Sequence, residues 1–197
     1  MTKLQLIFAT NNQRKIKEAS DIMQGHVQLI SMHEIGCYDE IPETAHTFAD
    51  NALIKARYLF GKYHINCMAD DSGLEVFALN GEPGIHSARY ASNHHNSVAN
   101  IEKLLSKLRG VQNRQAQFRT VIALIFDQQE ILFEGVIQGT ILDEPRGVQG
   151  FGYDPIFVPN GYQKTFAELG MGIKNRISQR AIALAKVKDF LSSHCGS

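Results

Sequence analysis

The stretch AQFRTVIALIFDQQEILFEGVIQGTIL, residues 116–142, constrains the fold of this chain more than any other. β-Branched and aromatic residues run on either side of Asp127 to Gln129, so it reads as two long strands around a tight turn. A turn that short joins antiparallel neighbours. What precedes it alternates. LQLIFAT reads as a buried strand, and NNQRKIKEASDIM as a helix with Ile16, Ala19, Ile22 and Met23 on one side. VQLISMHEI is a second strand. HTFADNALIKARYLFGKYH is a strong helix with Thr47 as N-cap and Phe48, Ala52, Ala56, Leu59, Phe60 and Tyr63 on one face. INCMADD is a short third strand. A hairpin inside an interleaved strand–helix pattern predicts an α/β fold with a mixed sheet.

The other segments fit that frame. NGEPG, residues 80–84, is turn chemistry. NSVANIEKLLSKLRG predicts a helix packed through Val98, Ile101, Leu105 and Leu108 and stopped by Gly110. DEPRGVQGFGYDPIF reads as loop, and ISQRAIALAKVKDFLSS as a final helix with Ile177, Ala181, Leu184 and Leu191 inward. With no repeat or linker, residues 1–197 read as one domain, with room for two lobes.

Composition removes several functions. Lys plus Arg equals Asp plus Glu, at 20 each, and there is no basic tail, so a nucleic-acid polymer is a poor partner. Cys37, Cys67 and Cys195 are odd in number and lack CxxC spacing, which argues against a disulfide framework or zinc cluster and fits a reducing, cytoplasmic setting. No apolar run is long enough to span a membrane or to serve as a signal-peptide core.

The chemistry concentrates in a few places. CMADDSGLEVF runs from an apolar segment into Asp70 and Asp71, followed by Ser72 and Gly73. Adjacent carboxylates form either a solvated turn or a site for a hard cation such as Mg²⁺. Glu43, just before the strong helix, either complements the helix dipole or is a further metal ligand. In ATNNQRK a strand meets a helix start. Thr10, Asn11 and Asn12 add donors there, and Arg14 and Lys15 add charge. This is either an anion cradle or an ordinary polar helix start. In GFGYDP, Phe151 or Tyr153 stacks on a base or is buried in the core. Lys174, Arg176 and Arg180 fall near the expected start of the last helix, where cations oppose the dipole. They serve an anionic ligand or form a solvated face. His94 and His95 read as a surface loop, and neither Ser72 nor Ser87 belongs to a nucleophilic triad.

In this order, FATNNQRK, ETAHTFADNALIKA, ADDSGLEV, GEPGIHSARY, GFGYDPIF and ISQRAIAL resemble the inosine triphosphate pyrophosphatase family, the Ham1 type, over nearly the whole chain. The resemblance implies an elongated mixed β-sheet with flanking helices and two lobes around a nucleotide cleft. It implies a homodimer and Mg²⁺-dependent hydrolysis of ITP, dITP and XTP to the monophosphate and pyrophosphate, which clears deaminated purines from the nucleotide pool. It assigns Thr10, Asn11, Asn12, Gln13, Arg14 and Lys15 to the triphosphate. Asp71 becomes catalytic carboxylate and metal ligand, with Asp70 supporting it and Glu43 as second acidic ligand. Ser72 contacts the nucleotide. Phe151, Gly152, Tyr153, Asp154, Lys174, Gln179 and Arg180 form the base pocket, and Arg180 reads the purine 6-carbonyl. The family usually has Ser-His-Arg where this chain has Ser178, Gln179 and Arg180, and glutamine cannot become cationic. The nearest alternatives are a Maf-like pyrophosphatase for pyrimidine or modified nucleotides and a nucleotide-binding module without turnover. Carboxylates beside a polyanion speak against the latter.

Overall fold

The computed structural model describes residues 4–92 and 96–194, so His94, His95 and Cys195 lie outside the described residues. Six strands form one sheet in the order β2-β1-β3-β4-β5-β6: β1 (Leu4–Phe8), β2 (Val27–Ser31), β3 (Cys67–Val76), β4 (Gln115–Phe126), β5 (Gln129–Ile141) and β6 (Phe157–Pro159). β1 pairs in parallel with β2 and with β3, whereas β5 and β6 are antiparallel, so the sheet is mixed. The two-residue link between β4 and β5 places Asp127 and Gln128 at positive φ, the geometry that tight hairpins require.

The helices are α1 (Gln13–Met23), α2 (Phe48–Tyr63), α3 (Ser97–Lys107), α4 (Phe166–Ile177) and α5 (Gln179–His194). The chain forms two compact units. One holds the residues up to Asp71, Thr120–Gly135 and those from Arg180 onward; the other holds Ser72–Arg119 and Val136–Gln179.

In the first unit, strand alternation divides the core. Leu6, Phe8 and Met68 pack with Ala19 and Met23 of α1 and with Ala183, Leu184, Val187 and Leu191 of α5. Ile7, Ala9, Cys67 and Ala69 pack instead with Ala52, Ala56 and Leu59 of α2. The sheet here is covered on both faces, which explains why its strands read as continuous apolar runs.

The second unit has its own core of Leu74, Val76, Ile101, Leu104, Leu108, Phe118, Ile141, Ile156, Phe157 and Phe166. β6 lies close against Gly139 of β5. A Cβ there would lie 2.3 Å from the Val158 carbonyl oxygen and 2.6 Å from the Phe157 ring.

Some sequence expectations are corrected. β3 does not stop at the aspartates but continues to Val76. Val98 is 66% exposed, and Leu104 takes the buried place on α3. The final helical region is two helices, broken at Ser178. Lys174 and Arg176 therefore lie in the last turn of α4, where cations complement the helix dipole rather than oppose it.

Candidate active site

Asp70 and Asp71 are interior residues of β3, 0% and 5% exposed, which rules out a solvated turn. Neighbouring side chains on a strand point to opposite faces, so the two carboxylates have different surroundings. Asp70 follows Met68 onto the α1–α5 side. Its Oδ1 accepts from Lys15 Nζ at 3.0 Å, and its Oδ2 from Arg180 Nε and Nη2 at 3.1 and 2.8 Å. Arg180 Nη1 also donates to Glu18, itself fully buried on α1. Burial alone would raise the Asp70 pKa, but the charges of Lys15, Arg180 and Lys55 outweigh it and hold the group well below the usual carboxylate range. Asp70 is thus locked as an anion.

Asp71 follows Ala69 onto the α2 side. Its Oδ2 accepts from Asn51 Nδ2 at 3.0 Å, and Asn51 Oδ1 in turn accepts from the Ala45 amide at 3.0 Å. Burial raises the Asp71 pKa above its ordinary value. Lys55 and Lys15 oppose this, Glu43 adds to it, and the Asn51 hydrogen bond opposes it. Glu43 lies in the irregular segment before α2, with Lys55 Nζ 2.6 Å from its Oε1. The same ammonium donates to the Asp70 carbonyl oxygen at 2.6 Å.

The turn from β1 to α1 is polar and largely exposed. Asn12 caps α1, accepting from the Arg14 and Lys15 amides at 3.0 and 3.3 Å, so its own side chain satisfies those donors. Thr10 Oγ1 accepts from the Asn12 amide, and Asn11 Nδ2 donates to the Asp39 carbonyl. Gln13 and Arg14 are exposed.

The remaining candidates belong to the second unit. Lys174 Nζ donates to Asp154 Oδ2 at 2.7 Å, with both side chains 3% exposed, and sits 4.3 Å from the Phe151 ring centroid. Asp154 Oδ2 also accepts from the Phe151 amide at 2.8 Å. The carboxylate folds so closely over Gly150 that a Cβ there would lie 2.1 Å from it. Phe151 and Gly152 are half-buried. Tyr153 is core, 4% exposed, its hydroxyl donating to the Ser87 carbonyl oxygen. Ser72 is half-buried on β3. Gln179 is 5% exposed, and its Oε1 has no hydrogen-bond partner among the described residues.

The structure therefore gathers Lys15, Glu43, Asp70, Asp71 and Arg180 in the first unit, and Phe151, Asp154 and Lys174 in the second. The guanidinium of Arg180, which the resemblance gives to the base, is engaged by Asp70 and Glu18. Glu18, Asn51 and Lys55 were not foreseen from the sequence. A signal was present, since Asn51 and Lys55 are polar residues on the buried face of α2, alongside Phe48, Ala52, Ala56 and Leu59.

Among the described residues, no three or more His, Cys, Asp and Glu side chains are grouped to hold a metal. Glu43 and Asp71 nevertheless suit Mg²⁺. Both offer hard oxygens, the charge of one raises the proton affinity of the other, and Mg²⁺ characteristically takes one or two carboxylates together with water and substrate phosphates. Among the described residues, no helix is long and apolar enough to cross a membrane.

The Ham1 family model matches residues 6–190. A dITP/XTP pyrophosphatase of Porphyromonas gingivalis is 53% identical over 95% of this chain and 97% of its own length. One from Christiangramia forsetii is 46% identical over 96% of this chain and all of its own. The solved structure of the Staphylococcus aureus Ham1 protein superposes with a TM-score of 0.88 at 41% identity, covering 96% of this chain and 99% of that one.

Proposed function

This chain belongs to the Ham1 family, and from that membership we propose that it hydrolyses the non-standard purine nucleoside triphosphates ITP, dITP and XTP to the monophosphate and pyrophosphate. The relatives named dITP/XTP pyrophosphatase support this substrate class. The observation that carries the chemistry is the contrast between two buried carboxylates on one strand. Asp70 is fixed as an anion by its cations, whereas Asp71 is left with raised proton affinity. Environments that push neighbouring acids apart are how acid and base roles are assigned.

In this reading Asp71 accepts the proton of a water attacking the α-phosphorus in line. Asp70 holds Lys15 at the phosphate side, where the ammonium and the start of α1 favour anionic oxygens. Glu43 and Asp71 would hold Mg²⁺, which when bound supplies positive charge to offset that of the phosphates. The exposed Thr10 to Lys15 turn receives the outer phosphates, and Ser72 contacts the nucleotide.

The base belongs to Phe151, Gly152, Asp154, Lys174 and Gln179, with Tyr153 supporting the loop from the core. Gln179 Oε1, a buried acceptor without a partner, suits the N1–H donor of a 6-oxopurine. Adenine has no hydrogen at N1, so it would leave that acceptor unmet, which is how large discrimination arises. The same proposal includes a homodimer and a cytoplasmic location. The described cysteines, Cys37 and Cys67, are free and buried, which suits a reducing compartment.

The test is a nucleotide panel with Mg²⁺, with and without excess chelator. ITP, dITP and XTP turn over with pyrophosphate release, ATP lags by roughly 10²-fold or more in kcat/KM, and chelator stops the reaction. Equal turnover of ATP and ITP would remove the substrate assignment. ITP turnover undiminished by chelator would remove the metal.

A further inference from the structure

One cation in the first unit contacts a carboxylate that the proposed function gives to the metal. We infer that Lys55 is the built-in counter-ion of the metal site, so that a divalent cation binding Glu43 and Asp71 competes with the Lys55 ammonium. This rests on the proposed assignment of Glu43 and Asp71 to a metal.

The geometry is specific. Lys55 stands on the buried face of α2, one turn beyond Asn51, which holds Asp71. A lysine on such a face is unfavourable unless its ammonium is paired. Here the ammonium is anchored twice, on Glu43 Oε1 and on the Asp70 carbonyl oxygen, each at 2.6 Å. Its side chain is 10% exposed.

The division of charge points the same way. The Asp70 carboxylate has Lys15 and Arg180 in direct contact, whereas Lys55 touches only its backbone carbonyl. Lys55 thus offsets the charge of Glu43, the work a divalent cation would do there. An ammonium and a dication on one carboxylate repel each other. Arrival of the metal therefore competes with the hold of Lys55 on Glu43.

The test uses Mn²⁺ alone, without nucleotide, titrated into the full chain and followed by the electron paramagnetic resonance signal of free Mn²⁺. Lys55→Met removes the competing charge. Lys55→Gln does the same but keeps a donor for the Asp70 carbonyl, which secures a folded neutral variant. Lys55→Arg keeps the charge. Both neutral variants are expected to bind Mn²⁺ about tenfold to a hundredfold more tightly than the wild type, with Lys55→Arg remaining near wild type. Unchanged affinity in folded Lys55→Met and Lys55→Gln, with the wild type binding Mn²⁺, would overturn the counter-ion role and leave the metal assignment standing. Absence of Mn²⁺ binding in all four proteins would overturn the metal assignment, and the inference with it.

Discussion

At the scale of single residues, Asp70 and Asp71 differ because a strand sends neighbours to opposite faces. That the aspartates follow an apolar run was legible, and their burial excludes the solvated-turn alternative. That their pKa values shift in opposite directions was not legible, because this depends on Lys15, Arg180 and Lys55, which lie far away in sequence. Asp71→Asn is expected to lower turnover by ~10²-fold or more while leaving the fold intact, checked by steady-state kinetics and circular dichroism. In the metal-free protein the Asp71 carboxyl should titrate above its ordinary value, because burial raises its pKa; a pH titration followed by NMR checks this. Asn51→Ala removes a hydrogen bond that favours the ionised form, so that metal-free titration should move to still higher pH. Asp70 has the opposite sign. With its folded pKa depressed, its contribution to stability is complete above about pH 4 and is lost as pH falls toward the depressed value. Asp70→Asn should cost about 3–5 kcal/mol at neutral pH, with the gap to wild type narrowing only in acid. Urea denaturation across that range measures it.

At the scale of elements, α1, α2 and the β4–β5 hairpin were legible because their periodicity and turn chemistry agree. α4, not expected as a helix from the sequence, was legible in part. Thr165 and Glu168 form a reciprocal capping box at the start of α4, and their spacing is a recognised start signal. Gly170 and Gly172 weaken the helical signal of α4, although the helix passes through them with a kink at Gly170. β3 ran past its expected end because Ser72 and Gly73 also suit a turn. Thr165→Ala should lower stability by about 1 kcal/mol. Gly139→Ala should cost about 1–3 kcal/mol by forcing β6 away from β5. Chemical denaturation of each variant checks both values, and a neutral Gly139→Ala would contradict the close approach of these strands.

At the scale of the whole molecule, the family was legible from six motifs in order, and the match over residues 6–190 bears it out. The mixed α/β sheet was legible too. The full set of interacting residues was not. Asn51 and Lys55 lie inside ETAHTFADNALIKA, but the motif does not show which groups they meet, and Glu18 lies in none of the six. The central claim is that water attacks the α-phosphorus of a non-standard purine triphosphate. Hydrolysis of ITP in ¹⁸O-labelled water, with products resolved by mass spectrometry, tests it most directly. The account predicts labelled inosine monophosphate and unlabelled pyrophosphate as the first products; inosine diphosphate with labelled orthophosphate would contradict it.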